Sequence, residues 1–107
     1  MSYVSDFPAG EPTRAEVDAL PGTTLLEFGA PWCPHCQAVQ PQLRQLLGPE
    51  VRHIKVEDGR GKPLGRSFAV KLWPNLVFLR DGQVLAQLAR ASSQDIESAF
   101  QLFSKDL

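Results

Sequence analysis

The chain has 107 residues, too few for two ordinary domains, and 43% of them are hydrophobic, enough for one core of usual size without staples. Eleven Lys and Arg against twelve Asp and Glu leave a formal charge of -1, which excludes the basic excess used to bind nucleic acid or an anionic membrane surface. No apolar run approaches the ~20 residues of a membrane-spanning helix, and the start at Met1 to Asp6 has neither a basic region nor a following apolar stretch. One cytoplasmic domain over residues 1–107, with no membrane or nucleic-acid partner, is therefore expected.

The first ten residues show little periodicity, and at most Tyr3 and Val4 add a short edge strand. Thr13 and Glu16 form a capping-box pattern, and Val17 and Leu20 supply an apolar stripe that Pro21-Gly22 ends, predicting a first helix. Thr23 to Ala30 is mostly apolar, long enough for a strand and too short for a helix. After Cys33, residues Val39, Leu43, Leu46 and Leu47 keep helical spacing up to Gly48-Pro49. Pro34 suits a first turn, and Pro41 predicts a kink rather than a stop because the apolar period continues beyond it. Val51 to Val56 alternates apolar and polar residues and predicts a second strand, parallel to the first through the helix, with His53 on its polar phase as a surface residue. Three glycines and a proline between Asp58 and Arg66 leave a short helix around Pro63 to Val70. Leu76–Leu79 and Val84–Leu88 flank Asp81-Gly82, a strong hairpin signal. A cap at Ser92 or Ser93 opens a last helix with Ile96, Ala99, Phe100 and Phe103 on one face. Together these elements predict an α/β fold, a central mixed sheet of four or five strands with helices on both faces.

The only two cysteines are Cys33 and Cys36. A bridge between them closes too small a loop to constrain the unfolded chain, so their role is chemistry rather than stapling. Two cysteines at this spacing, on a strand-to-helix junction, hold both sulfurs within bonding reach. The first sits at the helix N-terminus, where free amides and the helix dipole favour a thiolate. Cys33 is thus expected to attack a disulfide, and Cys36, one turn in and more shielded, to resolve the mixed disulfide; the reverse sequence oxidises a dithiol. A zinc site wants four ligands, whereas only His35 and His53 could join the two thiolates, and His35 is expected to project away from them. Neither a metal nor a bound cofactor is expected. The loop Gly59 to Lys62 lacks the spacing and the Ser or Thr of a phosphate-binding loop.

Trp32-Cys33-Pro34-His35-Cys36, Pro41 inside the second helix, Pro74 before a strand and Asp81-Gly82 in the hairpin come in the order of the landmarks of the thioredoxin family. The chain resembles that family from about Thr13 to the last helix. The resemblance implies a thioredoxin fold and a thiol-disulfide oxidoreductase that reduces protein disulfides as a monomer and is recharged by an upstream disulfide reductase. Glu27 sits where the family usually carries a buried aspartate and Lys55 where it carries the lysine partner, so Glu27 is expected to accept the proton that Cys36 must lose, the plainer alternative being a salt bridge. Pro74 sits where the family has a cis-proline, which implies that the backbone of Trp73 pairs with an extended substrate segment. Pro34-His35 resembles the pair found in strongly oxidising periplasmic relatives, and an imidazole that stabilises the Cys33 thiolate shifts the potential upward. An oxidase or isomerase is therefore one alternative function, and a non-catalytic adaptor or redox sensor using the surface near Trp73 is another. Three departures bear on substrate choice: Gly29 replaces a frequent tryptophan, Trp73 is bulky for the position before the proline, and Arg90 falls where a glycine is common. Trp32, Trp73, Pro74 and Arg90 are expected to meet substrate.

Overall fold

Side chains along a strand alternate between its two faces, and here both faces are covered. The structure, a computed structural model, describes residues 2–104. Its helices are α1 (Arg14–Asp18), α2 (Pro34–Leu46), α3 (Pro63–Ser67) and α4 (Ser93–Phe100), the last continued by a 3-10 turn over Gln101–Ser104. Its strands are β1 (Thr23–Gly29), β2 (Arg52–Glu57), β3 (Asn75–Arg80) and β4 (Gln83–Ala89), in the sheet order β2-β1-β3-β4. β1 pairs parallel with β2 and antiparallel with β3, and β3 and β4 form the antiparallel hairpin. The mixed four-stranded sheet with helices on both faces is the expected thioredoxin-type α/β fold.

The alternation sorts two cores. Leu25, Leu76 and Phe78 pack with Val39 and Leu43 of α2 and Ile96 and Phe100 of α4. Leu26, Phe28, Val56, Val77 and Leu79 go to the other face, against Val17 of α1 and Leu64 and Phe68 at α3. Local chemistry sets the ends of the elements. Thr13 and Glu16 make the reciprocal capping box, which satisfies two orphan amides of the short α1. Asp81 and Gly82 both take positive φ, 51° and 79°, as a two-residue hairpin turn requires. Ser92 caps α4 by accepting from the Asp95 amide.

As expected, α2 continues through Pro41 rather than stopping there. The structure departs from expectation in three places. Tyr3 and Val4 join no strand, and α3 is shorter than Pro63 to Val70. His53 is buried rather than on the surface, because Tyr3 stacks on its ring and the Val4 amide and Glu27 take up its two nitrogens.

Candidate active site

The sheet topology gathers the predicted site at one end. β1 runs up to Gly29, while antiparallel β3 begins at Asn75 opposite Phe28, and β4 ends at Ala89 opposite Asn75. Trp32 and Cys33 thus lie at the same edge as Trp73, Pro74 and Arg90. The Trp73–Pro74 peptide bond is cis.

Cys33 is the N-cap of α2, with Pro34 next as its first helical residue, where a missing N–H costs nothing. The Cys33 Sγ accepts a hydrogen bond from the Cys36 amide at 3.2 Å, doing with sulfur what a serine or aspartate oxygen does at other caps. That amide and the positive end of the helix favour negative charge on this sulfur. Cys36 differs: burial, followed by its hydrogen bond with Cys33, pushes its thiol up from 9.0 to about 12, while a backbone hydrogen bond to Ala30 pulls the other way. The carbonless side of Gly29 makes room for it, since a Cβ there would lie 2.6 Å from the Cys36 Sγ. Both cysteines are free and buried, so Cys33 is less open than a helix-start position alone suggests.

Around the pair, Trp32 is 68% exposed and its ring meets that of Trp73 edge-on at 5.6 Å. The Trp73 indole N–H donates to Asp58 Oδ2 at 2.9 Å. Asp58 carries no sequence signal of its own; the Asp58 amide bonds the Gly29 carbonyl at 2.9 Å where β2 runs out beside β1, and this brings its carboxylate to the indole. His35 is exposed, and with Pro74, Arg90, Val39 and Ile96 it lines a cavity of about 210 Å³ beside the cysteines. The Trp73 carbonyl is not open to a substrate strand as expected, because Arg90 Nε donates to it at 2.8 Å. Arg90 has φ 49° and its amide donates to the Pro74 carbonyl at 2.8 Å, a conformation that turns the side chain back over the proline.

Glu27, on the α2 face of a central strand, is wholly buried, and Lys55 is 2% exposed. Their separation, Nζ to Oε2, is 4.0 Å. The shorter contacts belong to His53, expected at the surface, and to Gln40, which the sequence did not single out. His53 Nε2 lies 2.8 Å from Glu27 Oε1, and Gln40 Nε2 donates to Glu27 Oε2 at 2.8 Å and to the Cys36 carbonyl at 2.8 Å. Lys55 donates to Gln40 Oε1 at 3.0 Å and to the Ser5 carbonyl at 2.9 Å. A buried carboxylate without partners is costly, and this one has a donor for each oxygen and a nearby cation. Gln40, Lys55 and Cys36 also line a cavity of about 200 Å³ with Ser5, Asp6 and Phe7, roomy enough for several waters at roughly 30 Å³ each.

A paired-cysteine helix start facing a cis-proline, on a four-stranded sheet covered on both faces, defines a dithiol protein of the thioredoxin fold. The thioredoxin family profile matches residues 11–101. The chain is 52% identical to thioredoxin 2 from Pseudomonas aeruginosa PAO1, whose reduced structure superposes with a TM-score of 0.81 over 92% of this chain and 94% of that one. It is also 35% identical over 68 residues to the protein disulfide-isomerase of Gallus gallus and 30% identical over 67 residues to the thioredoxin of Bacillus subtilis strain 168. Those matches take in 58% and 60% of this chain, and they span 13% and 64% of the relatives' own lengths. The chain belongs to the thioredoxin family, and its cysteine pair is placed for thiol-disulfide exchange.

Proposed function

We propose that the protein is a thiol-disulfide oxidoreductase that reduces disulfides in proteins, working as a cytoplasmic monomer and recharged by a separate disulfide reductase. The observation that carries this reading is the asymmetry of the pair: Cys33 Sγ is capped by the Cys36 amide, while the Cys36 thiol is held protonated by burial. In the reducing direction the Cys33 thiolate attacks one sulfur of a substrate disulfide and expels the other as a thiolate. Cys36 then gives up its proton and attacks Cys33, forming the Cys33–Cys36 bond and releasing the second substrate thiolate. Two electrons pass from the dithiol to the substrate, whose thiolates take up protons.

Glu27 is the base for the second step. A thiol at about 12 is thiolate in only roughly one molecule in 10⁵ at pH 7, so unaided resolution is slow. Gln40 ties Glu27 to the Cys36 backbone, and Gln40 and Cys36 line the same cavity, which puts the carboxyl one side chain away from the space beside the resolving thiol. Trp32, Trp73, Pro74, His35 and Arg90 form the surface that meets the substrate, and Arg90 must leave the Trp73 carbonyl before an extended segment can pair with it.

Turnover of insulin disulfides with dithiothreitol as the reductant tests the reading. Catalysed reduction is expected, and a protein that reacts with neither insulin nor dithiothreitol is an adaptor instead. A second reading, net oxidation or isomerisation, rests on the Pro34-His35 pair between the cysteines. Equilibration with glutathione separates the two: a potential near that of reducing thioredoxins, about -270 mV, supports reduction, and one near -120 mV supports oxidation.

A further inference from the structure

Residues 3–7 form no regular element, yet they touch Gln40, His53 and Lys55, the three polar side chains gathered around buried Glu27. The Tyr3 hydroxyl donates to Gln40 Oε1 at 2.7 Å, and its ring stacks on that of His53 at 5.5 Å. The Val4 amide donates to His53 Nδ1 at 2.8 Å. The Ser5 carbonyl accepts from Lys55, and Phe7 lies under Lys55 at 4.6 Å and beside the open side of Gly29, next to Cys36.

The Val4 contact decides more than packing. A backbone N–H can only donate, so His53 Nδ1 must be the unprotonated, accepting nitrogen. The ring is then neutral with its proton on Nε2, and Nε2–H points at Glu27 Oε1. In the other tautomer a bare Nε2 would face Glu27 and would be satisfied only by a carboxyl that holds its own proton and donates it. Such a carboxyl cannot take another from Cys36. With Gln40 donating to the second oxygen, the observed arrangement leaves Glu27 an acceptor on both.

We propose that the N-terminal strap Tyr3–Phe7 is a working part of the resolving step: Val4 N–H locks His53 as the Nε2–H tautomer, and His53 so locked keeps Glu27 free to take the proton of Cys36. His53 is a positioning residue acting through Glu27, and the inference rests on the reading of Glu27 as the base. The charged and titratable groups facing Glu27 are His53 and Lys55 from β2 and Cys36 from α2, with Cys33 beyond Cys36; Tyr3 reaches it through Gln40, and Asp6 lines the neighbouring cavity.

Reduction of 5,5′-dithiobis(2-nitrobenzoate) in a stopped-flow instrument reads the two steps apart, since the first thionitrobenzoate leaves when Cys33 attacks and the second when Cys36 resolves. Val4→Pro removes the locking N–H. Because proline also fixes φ at residue 4 and restricts Tyr3, the His53→Gln background is what separates the lock from the fold of the strap. Val4→Pro is expected to slow the second release about tenfold or more at neutral pH and to leave the first within about twofold, by the same comparison with a step that needs no base. His53→Gln supplies an Nε2–H donor that has no tautomer to lock, so in that background Val4→Pro should no longer slow the second release. An unchanged second release in Val4→Pro overturns the inference, and so does equal slowing in both backgrounds, which would reduce the strap to a support of the fold. If Glu27→Gln also leaves the second release untouched, it is the assignment of Glu27 that fails, and the strap's role falls with it.

Discussion

Two sulfurs of the same chemical kind are driven apart here by where they sit, and the difference is measurable residue by residue. Burial, before any other cause, pushes the Cys36 thiol up from the ordinary 9.0 to about 12 in the folded chain. The unfolded chain therefore loses this proton from about pH 9 while the folded chain keeps it, so the unfolded state binds fewer protons between the two values and stability falls as pH rises through that window. The reduced protein is expected to lose up to about 1.4 kcal/mol per pH unit from this one group. Urea unfolding of wild type against Cys36→Ser at several pH values above 9 isolates it, and parallel stability curves would show that Cys36 is not held protonated. Glu27→Gln gives a second residue-scale expectation with opposed signs. Removing the negative charge removes one of the forces that raise Cys36, so its thiol becomes more acidic, yet losing the base should slow resolution by about 10²-fold or more. A thiol titration together with the second thionitrobenzoate release checks both; a faster release would mean that Glu27 acts on Cys36 through its charge and not as a base.

At the scale of elements, the turn after β4 shows how one backbone conformation reaches the surface around Trp73 and Pro74. Arg90 at φ 49° occupies the left-handed region that glycine enters freely, and its side chain caps the Trp73 carbonyl. Arg90→Gly is expected to relieve about 1 kcal/mol of backbone strain while uncovering that carbonyl and removing a cation from the cavity shared with His35 and Pro74. The preference for acidic over basic disulfide peptides should drop, and the difference from wild type should shrink as salt rises. The ratio of kcat/KM for a matched pair of such peptides, at low and high ionic strength, is the check; equal ratios for both proteins would place Arg90 off the substrate path. The elements themselves were legible where periodicity is strong: α2, the βαβ unit, the Asp81-Gly82 hairpin and the two faces of the sheet. His53 was not. A polar residue on the alternating phase of an edge strand ordinarily faces water, and only the strap that covers that face turns it inward. Tyr3 and Val4 lie in a stretch with no period at all, and Gln40 is a polar position on an otherwise amphipathic helix, so nothing local marks any of the three as a partner of Glu27. The cysteines were legible for the opposite reason: their spacing and place at a strand-to-helix junction carry the chemistry without tertiary detail.

For the molecule as a whole, the fold gathers two different sets of residues around the dithiol. Cys33, Trp32, Trp73 and Arg90 gather at one end of the sheet, the end proposed to meet substrate, whereas Glu27, Lys55 and His53 lie on the α2 face of the sheet, under the strap. Substrate choice and proton transfer can therefore be altered independently. On the proposed mechanism Cys33 is the sulfur that meets the substrate and Cys36 the one that closes the cycle. Trapping tests this most directly. Cys36→Ser, reduced and mixed with insulin, should accumulate a mixed disulfide that mass mapping places on Cys33, while Cys33→Ser should trap nothing and reduce nothing. A covalent complex formed through Cys36 in Cys33→Ser, or insulin reduction retained by that variant, would contradict the assignment of the two sulfurs on which the mechanism rests.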